Sequence, residues 1–363
     1  MQEANAADQA PFPPVIGVDI GGTQLRTAVL LGGQLRSRVS MITGANPTPE
    51  RILPRILRAI EQAIDEAHIP RNTIAGIGVA MPGPLDYRTG IIYSPPNLPG
   101  WDQVPLRDLF LQHYTLPVYI ENDAQTAALG EYMFGSGRGC KHLVYLTIST
   151  GIGGGVIIDG KILEGANGTA AELGHMSIDW HGARCSCGNM GCLEYLASGT
   201  AIARMANDAI ADGQGAELLT FASTMLAHPT TVPDQAALPA VQEPDSLEQD
   251  DMGDGEEPLR VNARTVARAA EAGIPLARSI ITQAGEALGV GLVNIIHIFN
   301  PEMIILGGGV TLMGGMLMEP AQHIVQERTM HAPRNAARIV IGQLGANAGL
   351  VGAGALVYHY ASS

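Results

Sequence analysis

The stretch Val15-Ile16-Gly17-Val18-Asp19-Ile20-Gly21-Gly22-Thr23 decides the fold, because its pattern returns in the second half of the chain. Its apolar residues predict a buried strand, and its paired glycines predict a tight turn. Residues 25–31 predict a second strand, which leads through Gly32-Gly33 to a third strand at Gln34. The unit is therefore strand, glycine turn, strand, turn, strand.

The second copy of this unit begins at residue 143. Residues 143–148 predict a strand, Ser149-Thr150-Gly151-Ile152-Gly153-Gly154 a glycine turn, and residues 155–158 the next strand. A tight turn at Asp159-Gly160 and a third strand at 161–163 complete the copy. Two copies predict two lobes that face each other, each offering a glycine hairpin to a ligand between them. The alternative is that each is an ordinary hairpin between core strands.

Helical patterns fill the segments between these strands. Ile52, Ile56, Ile60 and Ile64 recur at four-residue spacing after Thr48-Pro49, which is typical of a helix start. Further helices are predicted at residues 124–134, 274–299 and 348–360, with a strand at 303–306 that runs into Gly307-Gly308-Gly309. This alternation predicts an α/β architecture.

Charge and composition exclude several classes of partner. The 363-residue chain has a net charge of −14 and only two lysines, Lys141 and Lys161, which argues against binding nucleic acid or an anionic membrane. No uninterrupted apolar run approaches a membrane span. Residues 1–14 lack the basic start of a secretory signal and are predicted to be a disordered tail, so we expect a cytoplasmic protein with reduced cysteines.

Three of the four cysteines fall within eight positions. Cys185, Cys187 and Cys192 follow His175, a Cys3His set that predicts a closed, tetrahedral, structural zinc site. His181 is an alternative fourth ligand. The competing interpretation is packing by small buried thiols.

Carboxylates and amides beside the glycine turns predict the chemistry. Asp19 can reach the Mg²⁺ of a phosphate held by backbone amides. Glu121-Asn122-Asp123 precedes a helix, so it is either an N-cap or a general base at a lobe junction. Together with Asn97, Glu172 and the free nitrogen of His175, these groups suit a polyol. The combination favours phosphoryl transfer from a nucleotide to a sugar.

These motifs, taken in order from Val15 to near Gly354, resemble the ROK family of sugar kinases and sugar-sensing repressors. The resemblance rests on the segments Asp19-Ile20-Gly21-Gly22-Thr23, Asn97-Leu98-Pro99-Gly100-Trp101, Glu121-Asn122-Asp123-Ala124, Thr150-Gly151-Ile152-Gly153-Gly154-Gly155, Glu172-Leu173-Gly174-His175, the cysteine run to Glu194, and Asn300-Pro301-Glu302 leading into Gly307-Gly308-Gly309.

The resemblance implies an actin-like, hexokinase-type fold with its active site between two lobes. It implies Asp123 as general base and a homodimeric assembly. Sugar contacts would come from Asn97, Asn122, Asp123, Glu172, His175 and Glu194. Zinc would be held by His175, Cys185, Cys187 and Cys192, and Mg-ATP by Asp19, Gly21, Gly22, Thr23, Thr150, Gly151, Gly153, Gly307 and Gly308. Ser149 and Gln24 depart from the family pattern.

The expected organisation is a small lobe of residues 15–121, joined by the helix at 348–363, and a large lobe of residues 122–347. The large lobe would carry the zinc loop 175–192 and an acidic insertion at about 225–258, which holds eight acidic residues between 243 and 257. The expected activity is an ATP-dependent hexose kinase, with glucose favoured over N-acetylmannosamine, N-acetylglucosamine and other hexoses. The alternative is a non-catalytic sugar sensor.

Overall fold

The structure is a computed structural model that describes residues 12–44, 46–95, 98–227 and 260–361. Asn97, most of the predicted tail and most of the predicted acidic insertion lie outside these ranges.

In the described ranges the strands are β1 (Val15–Ile20), β2 (Gln24–Leu31), β3 (Gln34–Leu35), β4 (Val39–Ile42), β5 (Ile77–Met81), β6 (Leu85–Asp86), β7 (Ile91–Tyr93), β8 (Asp102–Pro105), β9 (Val118–Asn122), β10 (Leu143–Ile148), β11 (Ile152–Ile158), β12 (Lys161–Ile162), β13 (Met303–Gly307) and β14 (Arg338–Ile341). The helices are α1 (Pro49–Ala67), α2 (Leu106–Leu111), α3 (Asp123–Phe134), α4 (Leu193–Ala197), α5 (Gly199–Ala211), α6 (Ala216–Ala227), α7 (Ala263–Glu271), α8 (Pro275–Phe299), α9 (Gly315–Arg328), α10 (His331–Ala336) and α11 (Ala348–Ala361). Short 3-10 helices occupy Arg71–Thr73, Leu173–His175, Gly309–Met313 and Gly345–Asn347.

Two sheets of matching design form the two lobes. The first runs β3-β2-β1-β5-β9, with β4 also paired to β2, and the second runs β12-β11-β10-β13-β14. In each sheet the first long strand pairs antiparallel with the strand after its glycine turn and parallel with a later strand. The repeat predicted from the sequence is therefore present. Strands β6, β7 and β8 form a small separate sheet.

The predicted helices are present because their apolar faces have a sheet or a helix to cover. Ile52, Ile56, Ile60 and Ile64 are all buried on α1, which packs against β2. Helix α8 ends at Asn300, whose left-handed backbone stops the helix before Pro301. The predicted boundaries at the glycine turns are less accurate: β11 begins at Ile152, not at residue 155.

The N-terminal segment differs from the expected disordered tail at Phe12. Phe12, which the predicted tail includes, packs its ring 4.7 Å from Tyr358 and 5.5 Å from Phe134, measured between centroids.

Helix α8 is long and apolar enough to cross a membrane, but 61% of its most apolar 18-residue stretch is buried inside the protein. It packs against α7 and α9. Such burial is typical of a core helix.

Helices α3 and α11 occupy the centre of the molecule. Helix α11 packs on β1, β5 and β9 of the first sheet, whereas α3 packs on β10 and β11 of the second, and the two helices pack against each other. A Cβ on Gly352 of α11 would lie 1.9 Å from the carbonyl oxygen of Thr126 on α3, so the backbones meet where no side chain fits. The two lobes are joined through this contact.

We expect Gly352→Ala to destabilise the protein, although alanine favours a helix by about 1 kcal/mol over glycine. The added methyl group must push α3 and α11 apart, and overpacking of this kind costs about 1–3 kcal/mol or more. Calorimetric unfolding should show a melting temperature several degrees lower than that of the native protein. Gly309→Ala is the control, since no atom of the described residues lies within 4 Å of its added Cβ. Equal melting temperatures for the two variants would contradict the packing argument.

Candidate active site

The junction between β9 and α3 holds Asn122 and Asp123 at the start of the helix. The Oδ1 atom of Asn122 accepts hydrogen bonds from the backbone N–H groups of Ala124, at 3.0 Å, and Gln125, at 3.3 Å. Asn122 is therefore the N-cap of α3, as one of the two sequence interpretations required. Asp123 is the first helical residue, and its Oδ1 also accepts from the N–H of Ala124, at 2.8 Å. The cap is provided by Asn122, so the carboxylate of Asp123 is available for another role.

Carboxylates from three separate segments lie near one another. Burial, together with the negative charges of Asp19 and Glu172, raises the pKa of Asp123 to about 6, against the lowering effect of the hydrogen bond from the Ala124 N–H. Burial also raises the pKa of Asp19. Residues from β1, α3 and the loop before the Cys3His cluster, which the sequence assigned to one site, are thus brought together. A carboxylate with a pKa near 6 is a suitable general base close to neutral pH.

Arg26 pairs with Asp19 and was not identified from the sequence. Its Nη2 atom lies 2.6 Å from Oδ2 of Asp19, and its Nη1 atom donates to the carbonyl oxygen of Ala346. The register of β1 and β2 places Arg26 directly opposite Asp19. Counting residues across the Gly21-Gly22 turn would have found this pair.

The first and third glycine turns are fixed by neighbouring threonines. The hydroxyl of Thr43 donates to the carbonyl oxygen of Gly21, at 2.7 Å, and the hydroxyl of Thr311 donates to that of Gly308, also at 2.7 Å. Gly308 has a φ of +88°, and a Cβ there would lie 2.3 Å from the carbonyl oxygen of Ile148. Gly22 and Thr23 are exposed, so the first turn is open to a ligand.

The predicted zinc ligands form a compact cluster. One donor atom from each of His175, Cys185, Cys187 and Cys192 lies within 4.8 Å of the others. The Sγ atom of Cys185 is 3.8 Å from Nδ1 of His175, and the Sγ atoms of Cys187 and Cys192 are 3.6 Å apart. Cys187 is exposed, so packing of buried thiols does not account for the set. Three sulfurs and an imidazole nitrogen fit a tetrahedral zinc ion.

The alternative ligand His181 and the remaining cysteine lie outside this cluster. The ring of His181 is instead 3.6 Å from that of exposed Trp180, measured between centroids. Cys140 is buried among the residues of another hydrophobic cluster, with Leu143 and Ile157.

Glu172 and Glu194 flank the Cys3His cluster in the sequence. Burial raises the pKa of Glu172, the charge of Glu194 raises it further, and His175 lowers it. The Oε2 atom of Glu194 accepts a hydrogen bond from the N–H of Ile152, at 2.8 Å, so this carboxylate also touches the second glycine turn. Glu194 therefore lies between the cluster and that turn.

Glu121 is a further buried carboxylate of the Glu-Asn-Asp motif. Its Oε1 atom accepts from the N–H of Asn122, at 2.7 Å, and burial raises its pKa to about 7. It is fully buried and holds the end of β9. Its position explains why the motif contains more polar residues than a helix cap needs.

Comparisons with known proteins identify the family of the chain. The family model described as the ROK family matches residues 15–359. A glucokinase of Halalkalibacterium halodurans is 33% identical over 344 residues, covering 94% of each chain. A putative xylose repressor of Caldicellulosiruptor sp. is 29% identical and aligns with 94% of this chain but 77% of its own length. The crystal structure of a ROK family glucokinase from Streptomyces griseus, in complex with glucose and AMPPNP, superposes with a TM-score of 0.74 at 31% identity, covering 95% of this chain and 99% of that one.

We expect Arg26→Met to lower the free energy of unfolding by about 3 kcal/mol at neutral pH, because it leaves the buried Asp19 carboxylate without its cation. The raised pKa of that carboxylate makes the loss shrink as the pH falls toward the ordinary value for aspartate, about 4. Urea titration at two pH values measures both effects.

Arg71→Met is the matched control, because Arg71 is likewise paired with carboxylates, here Glu61 and Asp65, but on the exposed surface. Its effect should be small. The double variant Arg26→Met/Asp19→Asn should recover stability. A loss at Arg26 no greater than that at Arg71 would contradict the argument.

Proposed function

The chain belongs to the ROK family, and from this membership and the cleft geometry we propose that it transfers the γ-phosphate of ATP to a hydroxyl of glucose. It is a hexose kinase with an actin-like, two-lobe fold. The observation that carries the proposal is the position of Asp123, at the start of α3, beside Asp19 and Glu172.

We assign Asp123 as the general base. In this role the carboxylate would accept the proton of the attacking sugar hydroxyl as the bond to phosphorus forms. Its pKa of about 6 leaves it mostly ionised at neutral pH yet basic enough to accept a proton. Asn122, Glu172, His175 and Glu194 are proposed to hold the remaining hydroxyls, and Asn97 stays a prediction outside the described residues.

The phosphates are proposed to lie along the glycine turns. Gly21, Gly22 and Thr23 would face the phosphates from the first sheet, and Thr150, Gly151 and Gly153 from the second. The purine base of the nucleotide would lie near Gly307 and Gly308. The carboxylate of Asp19 fits the oxygen donors that Mg²⁺ prefers. When bound, Mg²⁺ would neutralise the negative charge on the phosphates.

The Cys3His cluster is proposed to hold a structural zinc ion. Its four donors leave no open position, and its role would be to fix His175, Glu172 and Glu194 around the sugar. We also propose that the lobes divide at residues 121 and 122, with α11 returning to the first lobe, where it packs on β1, β5 and β9. A homodimer and a cytoplasmic location stay predictions.

A sugar-sensing role is the second candidate, because a repressor aligns with most of this chain. The presence of both Asp19 and Asp123 in the cleft favours catalysis, since a sensor needs neither a metal-facing carboxylate nor a base. N-acetylmannosamine and N-acetylglucosamine are alternative substrates within the kinase hypothesis.

The function is tested by ADP release with Mg-ATP against a panel of hexoses and amino sugars. We expect glucose to give the strongest signal and Asp123→Asn to lower kcat by about 10²–10⁴, because the base is lost. Calorimetry should still detect sugar binding by that variant. Asp108→Asn, an exposed change on α2, is the control and should keep full activity.

The same role for Asp123 predicts a pH profile. Because its carboxylate must be ionised to act as a base, kcat/KM should fall as the pH drops below about 6. If the protein binds sugars but phosphorylates none of them, the sensor hypothesis replaces the kinase hypothesis.

We expect Cys187→Ser to lose bound zinc, since the exposed Cys187 is one of four donors and a closed site needs all of them. Metal analysis of the purified protein should find about one zinc per native chain and much less in the variant. The melting temperature should fall in parallel. Cys140→Ser, a change at a cysteine outside the cluster, should keep the metal. Full zinc in Cys187→Ser would contradict the ligand assignment.

A further inference from the structure

The residues between the last cysteine of the zinc cluster and the second glycine turn form one continuous link. Cys192 is fully buried, and helix α4 begins at the next residue. Ser198 ends α4 and caps α5, its hydroxyl accepting from the N–H of Ala201 at 3.1 Å. We call residues 192–200 the 192–200 link.

This link holds the second glycine turn by four hydrogen bonds. The N–H of Ile152 donates to Oε2 of Glu194, at 2.8 Å, and the N–H of Gly199 donates to the carbonyl oxygen of Ser149, also at 2.8 Å. The carbonyl oxygen of Thr150 accepts twice from Thr200, from its N–H at 3.2 Å and its hydroxyl at 2.7 Å. The N-terminal amides of α5 are thus used to fix the carbonyls of the turn.

The contact between the link and the turn is too close to permit independent movement. A Cβ on Gly151 would lie 2.4 Å from Oε2 of Glu194. The link itself is braced from behind, because Leu193 is fully buried and lies against Gly291 of α8. A shift of Cys192 would therefore be carried to the turn rather than absorbed within the link.

We propose that Thr200 and Glu194 are positioning residues for the nucleotide phosphates, and that the 192–200 link couples metal occupancy of the Cys3His cluster to nucleotide affinity. The proposal rests on the proposed function, since it takes the second glycine turn as a phosphate site. The metal then influences the phosphate side of the cleft as well as the sugar side.

A variant at Thr200 can separate effects on nucleotide binding from effects on sugar binding. Its hydroxyl contacts the second glycine turn, and it is not among the proposed sugar contacts. Thr200→Val keeps the shape and removes one hydrogen bond. We expect the Kd of Mg-AMPPNP, measured by calorimetry on the metal-loaded enzyme, to rise about five- to tenfold. The KM for ATP should rise with it, while the KM for sugar and the melting temperature stay near their native values.

Two variants control this measurement. Thr200→Ser keeps the hydroxyl and should restore native nucleotide affinity. Thr73→Val removes a hydroxyl that donates to a backbone carbonyl at the same distance, 2.7 Å, but in the 3-10 helix after α1. It should leave nucleotide binding unchanged.

Metal affinity gives a readout that needs no turnover. Coupling between two ligands is reciprocal, so Mg-AMPPNP should tighten zinc binding in equilibrium competition against a chromogenic chelator. This increase in zinc affinity on adding Mg-AMPPNP should be largely lost in Thr200→Val. Glucose should tighten zinc binding in both proteins, since its contacts are independent of Thr200.

The outcomes distinguish this inference from the proposed function. If the native enzyme uses ATP while Thr200→Val keeps native nucleotide affinity, the positioning role is wrong and the kinase assignment stands. If Thr200→Val weakens the binding of sugar and of nucleotide equally, the residue supports the whole cleft and the inference is also overturned. If the native protein binds no nucleotide, the proposed function fails first.

Discussion

The contact between α3 and α11 is the constraint on which the rest of the structure depends. Each helix covers its own sheet, and their backbones meet at Gly352. The same two helices position the acidic groups of the cleft at their N-termini. Asp123 begins α3, and a Cβ on Gly349, in the first turn of α11, would lie 2.8 Å from the carboxylate of Asp19. The packing distance between the helices therefore also sets the relation between the two aspartates.

The charge in the cleft supports the proposed use of Mg²⁺ together with ATP. Asp19, Asp123, Glu172 and Glu194 gather in a chain of net charge −14, whose two lysines are Lys141 and Lys161. Arg26 offsets part of this charge at Asp19, and the positive ends of α3 and α11 offset more. A polyanionic nucleotide adds further negative charge, so a cation that arrives with it improves its binding. Such a cleft fits a metal-nucleotide complex better than a bare phosphate.

Much of the fold and the Cys3His cluster could be predicted from the sequence, because the decisive residues are local in it. Apolar runs beside paired glycines indicated β1 and β10, and the cysteine spacing indicated the cluster. The start of β11 could not be placed, since Gly153 and Gly154 look like turn residues. They pair with β10 in the sheet, and glycine is required there because the β-carbon of Ala124 on α3 would lie 2.9 Å from a Cβ on Gly153. That constraint comes from a helix distant in sequence.

The contacts that sequence reasoning missed are those made by one side chain to a backbone far along the chain. The Thr200 hydroxyl bonds to Thr150, and the Glu194 carboxylate bonds to Ile152, across 50 and 42 residues. Neither partner is recognisable by residue type, since one is a carbonyl and the other an N–H. Glu194 thereby has two proposed roles, because it is a proposed sugar contact and it touches the second glycine turn, the proposed phosphate site. A carboxylate shared in this way would allow sugar and nucleotide to influence each other's binding through one rigid group, with no large movement required between them.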